Sequence, residues 1–126
     1  MIAFTVPGPP IPLARARVFV RSNGKIGSAN PARSTGYKQK VALYFNASKR
    51  SIDWPLDGRF TMSIKVYWPD ARRRDLSNLA KGVEDSLIGL AYNDDSQIDE
   101  IHLFGTIDRE RPRIEVRIER KVKVAA

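Results

Sequence analysis

At 126 residues, with 42% hydrophobic and 29% charged side chains, the chain has the size and composition of one folded domain, not of a disordered or fibrous protein. The lack of cysteine excludes a disulfide framework and thiolate metal sites, and a single histidine, His102, excludes a multi-histidine zinc centre and weighs against a Ser–His–Asp triad. The net charge of +8 is unevenly spread: residues 1–52 hold nine Lys or Arg and no acid, while eight of the fourteen acids fall between Asp70 and Glu100. That split points to a polyanion-binding surface beside a carboxylate pocket.

In chain order, residues 2–6 are apolar and β-branched enough for a short strand. Four prolines between Pro7 and Pro12 then impose a stiff, extended exit. Arg15, Arg17 and Arg21 interleave with Val18, Phe19 and Val20, which predicts a strand with a basic edge turning at Ser22-Asn23-Gly24. From about Pro31 or Ser34 to residue 50, Tyr37, Val41, Tyr44 or Phe45, and Ser48 recur at helical spacing; these aromatics read as core. Phe60, Met62, Ile64, Val66 and Trp68 alternate as a half-buried strand.

A second helix is predicted over roughly 75–90, with Asp75 or Ser77 as its cap and an apolar stripe of Leu76, Leu79, Val83, Leu87 and Leu90. A turn at 92–95 leads to a strand over 98–104. Ile114, Val116, Ile118 and Val122 alternate as the last strand. The order predicts a single α+β domain over residues 1–126, one mixed sheet with two helices packed on it. No apolar run is long enough to cross a bilayer and no signal-peptide layout opens the chain, so the expectation is a cytoplasmic protein with no membrane partner.

The chemistry-bearing residues surround the second helix. At ~100° per residue, Asn78, Lys81 and Asp85 fall within about 60° of one another, away from the apolar stripe. Asp75 stands at the helix start behind Arg72, Arg73 and Arg74, while Asp94 and Asp95 follow the helix. If the flanking strands are parallel, the segments before and after the helix lie at opposite strand ends. Asp75 and Asp95 then meet only by some other route, and spacing leaves this open.

Carboxylates without histidine or cysteine suit Mg²⁺, with Mn²⁺ as a substitute. With a lysine to neutralise developing charge and arginines to hold a phosphate backbone, they meet the needs of phosphodiester cleavage. Each residue also has a plainer reading: Asp75 as a cap, Asp94 and Asp95 as turn formers, Lys81 and Asp85 as a surface ion pair.

The run Pro69-Asp-Ala-Arg-Arg-Arg-Asp75-Leu-Ser-Asn78-Leu-Ala-Lys81, followed by Asp94-Asp95-Ser-Gln97-Ile98, resembles the signature of the RusA family. These are small, phage-associated endodeoxyribonucleases that resolve Holliday junctions. The N-terminal strand, the proline turn, Arg15, Arg17 and the Tyr37 region resemble the family too. The resemblance implies catalytic roles for Asp75, Lys81 and Asp95, with Asp75, Asp95 and the neighbouring Asp94 at the metal. It implies that Asp75 and Asp95 converge. It also implies a homodimer whose two sites cut a two-fold-symmetric four-way junction.

Ser77 departs from the pattern: the best-known members carry a second aspartate there, and Asp85 or Asp94 are the nearby carboxylates left to supply that oxygen. The expectation is a Mg²⁺-dependent, structure-selective endonuclease on branched DNA. The alternative is a non-catalytic branched- or duplex-DNA-binding module of the same fold. An RNA-directed nuclease ranks below both, since no aromatic platform lies in a basic strand.

Overall fold

Alternation of apolar residues at period two and their recurrence at helical spacing set the element order of the chain. The computed structural model describes residues 1–13, 17–20, 23–24, 26–29, 32–49 and 54–121, with only the backbone of 17–20 and 26–29. The elements are β1 (Ile2–Pro7), β2 (Arg17–Val20), β3 (Ile26–Ala29), α1 (Ala32–Lys49), β4 (Phe60–Trp68), α2 (Leu76–Ser86), a 3₁₀ turn (Asp95–Gln97), β5 (Ile98–Ile107) and β6 (Arg113–Arg120). Four strands form one mixed sheet in the order β1-β6-β4-β5. β4 pairs in parallel with β5 through the α2 crossover, and the other pairings are antiparallel. β2 and β3 make a separate antiparallel ribbon.

The fold is the α+β arrangement that the sequence predicts, with two helices on a mixed four-stranded sheet. The core lies between one sheet face and the helices. Phe4, Phe60, Met62, Ile64, Val66, Ile114, Val116 and Ile118 come from the strands; Tyr37, Val41 and Phe45 come from α1; Leu79, Val83 and Leu87 come from α2. Phe4 meets Phe45 edge-on at 5.8 Å between ring centroids, a favourable aromatic geometry. Leu76 and Leu90 of the predicted stripe are only partly buried against this core.

Two boundaries differ from the sequence expectation. α2 stops at Ser86 instead of continuing to about residue 90, because Leu87 closes it and Gly89 adopts φ +83° in the turn that follows. That turn drives Ala91 and Tyr92 into the core. β5 runs on to Ile107, since its whole length pairs with β4. Val122, Arg15 and Arg21 lie outside the described residues. Arg17 opens β2 opposite Ala29, so its place is on the ribbon. No helix among the described residues is long and apolar enough to cross a membrane.

Candidate active site

Asp75 caps α2, as the sequence predicts: its backbone is extended and its carboxylate accepts the Asn78 N–H at 3.0 Å. Six residues on, about 9 Å along the helix axis, Lys81 projects from the exposed side. Its Nζ lies 2.6 Å from Asp95 Oδ2 and 3.4 Å from Asp85 Oδ1. Lys81 and Asp85 therefore share a face as their spacing requires, and Asp95 closes on them from the far end of the crossover. Asn78, the third residue of that sector, serves the fold. Its side-chain amide donates to the Leu13 carbonyl and ties the proline-rich exit to α2.

Asp95 is held in place by the turn around it. Asp94 caps the 3₁₀ turn by accepting the Ser96 N–H at 3.1 Å. The Gln97 carboxamide oxygen accepts the backbone N–H groups of Asn93 and Asp94, each at 2.8 Å. Its nitrogen donates to the carbonyls of Leu56 and Gly58, each at 2.9 Å. Arg59 adds a 2.9 Å bond to the Ser96 carbonyl and pairs with Asp99. On the inner side, the buried Tyr92 donates its hydroxyl to the Glu84 carbonyl at 2.6 Å, joining the turn to the end of α2. Gln97, which enters the sequence analysis only as part of the motif, ties this turn to the 56–58 loop. The signal was there in the spacing, since Asp at a cap and Gln three residues on make a capping box.

The site's field is acidic. The hydrogen bond to Asp95 raises the Lys81 ammonium to about 12, with Asp85 adding to the shift, so it stays protonated at neutral pH. Burial pushes the Glu84 carboxyl upward, opposed by Lys81 and reinforced by Asp95 and Asp85. The Ser96 hydrogen bonds hold Asp94 below the usual carboxylate range. One lysine thus faces several carboxylates. An all-oxygen donor set in a negative field fits a hard divalent cation in kind.

The arrangement does not gather Asp75, Asp94 and Asp95 into one cluster. Among the described residues no group of three or more such ligands lies close enough to hold a metal. β4 pairs in parallel with β5, so Asp75 follows the end of one strand and Asp95 precedes the start of the other. What the set fits is a heavily hydrated ion held by one or two carboxylates, the ordinary mode of Mg²⁺.

The arginines divide by role. Arg74 folds back, with its Nη1 2.7 Å from Asp70 Oδ1 and its guanidinium 5.1 Å from the Trp68 ring centroid. The Arg74 bond, helped by the Arg72 N–H, lowers the Asp70 carboxyl to about 2. Arg72 and Arg73 are exposed, and the Arg72 charge adds to the field that lowers Asp70. Ser77 is exposed beside Asp75, and the two line one open cleft together with Arg73 and Arg74.

The family model described as "Endodeoxyribonuclease RusA" matches residues 7–119. The chain belongs to the RusA family. The match takes in every element from the proline exit to β6, and so both halves of the Lys81–Asp95 contact. A RusA relative, the crossover junction endodeoxyribonuclease rusA of Enterobacteria phage HK97, is 41% identical over 103 residues, which cover 70% of this chain and 86% of the phage protein. The uncharacterized protein YqaN of Bacillus subtilis (strain 168) is 34% identical over 138 residues, covering 93% of this chain and 94% of its own length. In this RusA chain the second acidic position of the motif is Ser77, so the first turn of α2 contains no acid.

Proposed function

We propose that this RusA protein is a Mg²⁺-dependent endodeoxyribonuclease that resolves four-way DNA junctions by paired phosphodiester hydrolysis. The observation that carries the reading is Lys81, fixed as an ammonium between Asp95 and Asp85 and flanked by further carboxylates. A lysine held protonated does not act as a general base. It is suited to sit against the phosphoryl oxygen whose negative charge grows as water attacks phosphorus and the bond to the 3′-oxygen breaks.

One or two of Asp95, the adjacent Asp94 and Asp75 would hold the ion, with its water shell completing the coordination. Mg²⁺, when bound, supplies the charge that polarises the phosphodiester. Asp95 Oδ2 is taken by Lys81, which leaves Oδ1 for a second partner. The exposed Arg72 and Arg73 would hold the backbone near Asp75.

A two-fold dimer belongs to this proposal, because a symmetric junction needs two symmetric cuts. β5 supports it. It is an edge strand of ten residues with Ile101, Phe104 and Ile107 exposed, Phe104 by 58%. Such an edge is a template for pairing. Antiparallel pairing of β5 with its copy about Phe104 sets the two phenyl rings together and Ile101 against Ile107.

The competing reading, a DNA-binding module without cleavage, draws on Ser77 and on the dispersed carboxylates. A synthetic four-way junction with Mg²⁺ separates the two. The nuclease nicks it symmetrically, stops with EDTA, and loses its activity in Asp75→Asn and Asp95→Asn. Tight binding with no product under any Mg²⁺ or Mn²⁺ concentration establishes the binding module instead.

A further inference from the structure

The proline-rich exit from β1 does more than end a strand. Gly8 anchors it by donating its N–H to the Pro112 carbonyl at 2.9 Å, and Lys40 of α1 donates to the Pro7 carbonyl. Asn78 and Gly82 of α2 then receive Leu13 at its far end. Between these moorings a cleft of about 340 Å³ opens, floored by residues 9–12 and walled by Arg33 and Ser34 of α1 and by Arg72 and Arg74. Arg74 also lines the cleft of about 410 Å³ that contains Asp75 and Ser77, so the two clefts are neighbours across its side chain.

The cleft has two kinds of surface. Its floor is made of proline rings and Ile11; prolines have no N–H to donate. Its walls carry two exposed guanidinium groups, Arg33 and Arg72, the second of which also adds to the field that lowers Asp70. Arg74 is already committed to Asp70 and Trp68, so its contribution is to shape the junction between the clefts. An apolar floor under paired guanidiniums matches a sugar–phosphate unit, with the sugar on the prolines and the phosphate on the arginines.

We propose that this cleft is a strand-guiding subsite. Arg33 and Arg72 hold a backbone phosphate that flanks the scissile one, and the 9–12 segment packs against its sugar. Arg33 is the new element, the exposed cation that α1 brings to the lining of the groove. The inference rests on the nuclease reading, because it places the flanking phosphate relative to the Asp75 cleft.

The test is the salt dependence of four-way-junction binding in EDTA, where no cleavage occurs, for wild type, Arg33→Ala and, as a charge-matched control, Lys49→Ala at the opposite end of α1. Losing one phosphate contact should weaken binding by about fivefold at moderate salt and flatten the log–log slope by about 0.9 in Arg33→Ala, with the control at the wild-type slope. The melting temperature should not move, since Arg33 is exposed.

An unchanged slope in Arg33→Ala, or an equal change in Lys49→Ala, overturns the subsite while leaving the nuclease reading intact. A wild-type protein that binds no junction overturns both.

Discussion

Lys81 Nζ meets Asp95 Oδ2 at 2.6 Å across a sequence separation of 14 residues. The contact joins the middle of α2 to the 3₁₀ turn that precedes β5, so one hydrogen bond links the two halves of the family motif. Both side chains keep substantial exposure, 49% for Lys81 and 30% for Asp95. Water screens such a pair, and its worth to stability is below about 1 kcal/mol. Its geometry is therefore better explained by chemistry than by folding.

Lys81→Met should accordingly leave the melting temperature within about 2 °C of wild type while lowering junction cleavage by about a hundredfold or more. The pH dependence follows from the raised ammonium. A folded value above the ordinary 10.5 means that the pair's stabilisation is complete below that point and is lost as pH rises toward about 12. The rate–pH profile should therefore show no lysine inflection below about pH 10. A basic limb near neutrality that vanishes in Lys81→Met would show that the lysine is a base after all.

Gln97 offers a cleaner separation of position from charge. Its carboxamide makes four hydrogen bonds, two accepted from the Asn93–Asp94 backbone and two donated to the 56–58 loop. Gln97→Ala should cost about 1–3 kcal/mol and lower cleavage by loosening Asp95. Gln97→Glu keeps both acceptor contacts but abandons the Leu56 and Gly58 carbonyls. It should fall between the two in thermal melting and in rate. If both variants melt lower yet cut at the wild-type rate, the turn does not position Asp95.

How much of this was legible beforehand depends on the range of the interaction. Met62, Ile64 and Val66 announced β4 because one buried face imposes strict alternation. The cap at Asp75 and the Lys81–Asp85 face followed from helical geometry alone. The approach of Asp95 to Lys81 did not, because it depends on a chain reversal driven by Gly89 and by burial of Tyr92, neither of which periodicity encodes. Asn78 read as part of the polar face, yet its partner is a backbone carbonyl at Leu13, 65 residues away. Arg33 was passed over because nothing local marks an arginine at a helix start as the wall of a groove.

The β5 edge makes a prediction about assembly that is independent of catalysis. Phe104→Glu places two carboxylates face to face on the proposed two-fold, where burial and like charge both oppose association. Sedimentation should show the wild type as a dimer and the variant as a monomer with an unchanged circular-dichroism spectrum. The residue is exposed and stands on the sheet face opposite the helices, so the fold itself has little to lose. Junction binding should weaken in parallel, as two sites no longer engage one substrate. A variant that remains dimeric shifts the interface away from β5.

Ser77 is the position at which this chain can be asked whether it is short of a ligand. It is exposed at the second residue of α2, beside the Asp75 cap, in a first turn without any acid. A carboxylate there is favoured by the helix dipole, by about 0.3–1 kcal/mol, so Ser77→Asp should melt no lower than wild type. It also adds a hard oxygen donor two residues from Asp75. If Asp75 helps to hold Mg²⁺, the half-saturating Mg²⁺ concentration for junction cleavage should fall several-fold, with Mn²⁺ showing the smaller change because it already binds such donors more tightly. A Mg²⁺ titration of both proteins at fixed ionic strength reads this directly. Equal half-saturation, together with a raised melting temperature, would mean that position 77 serves the helix and that the ion is held from the Asp95 side.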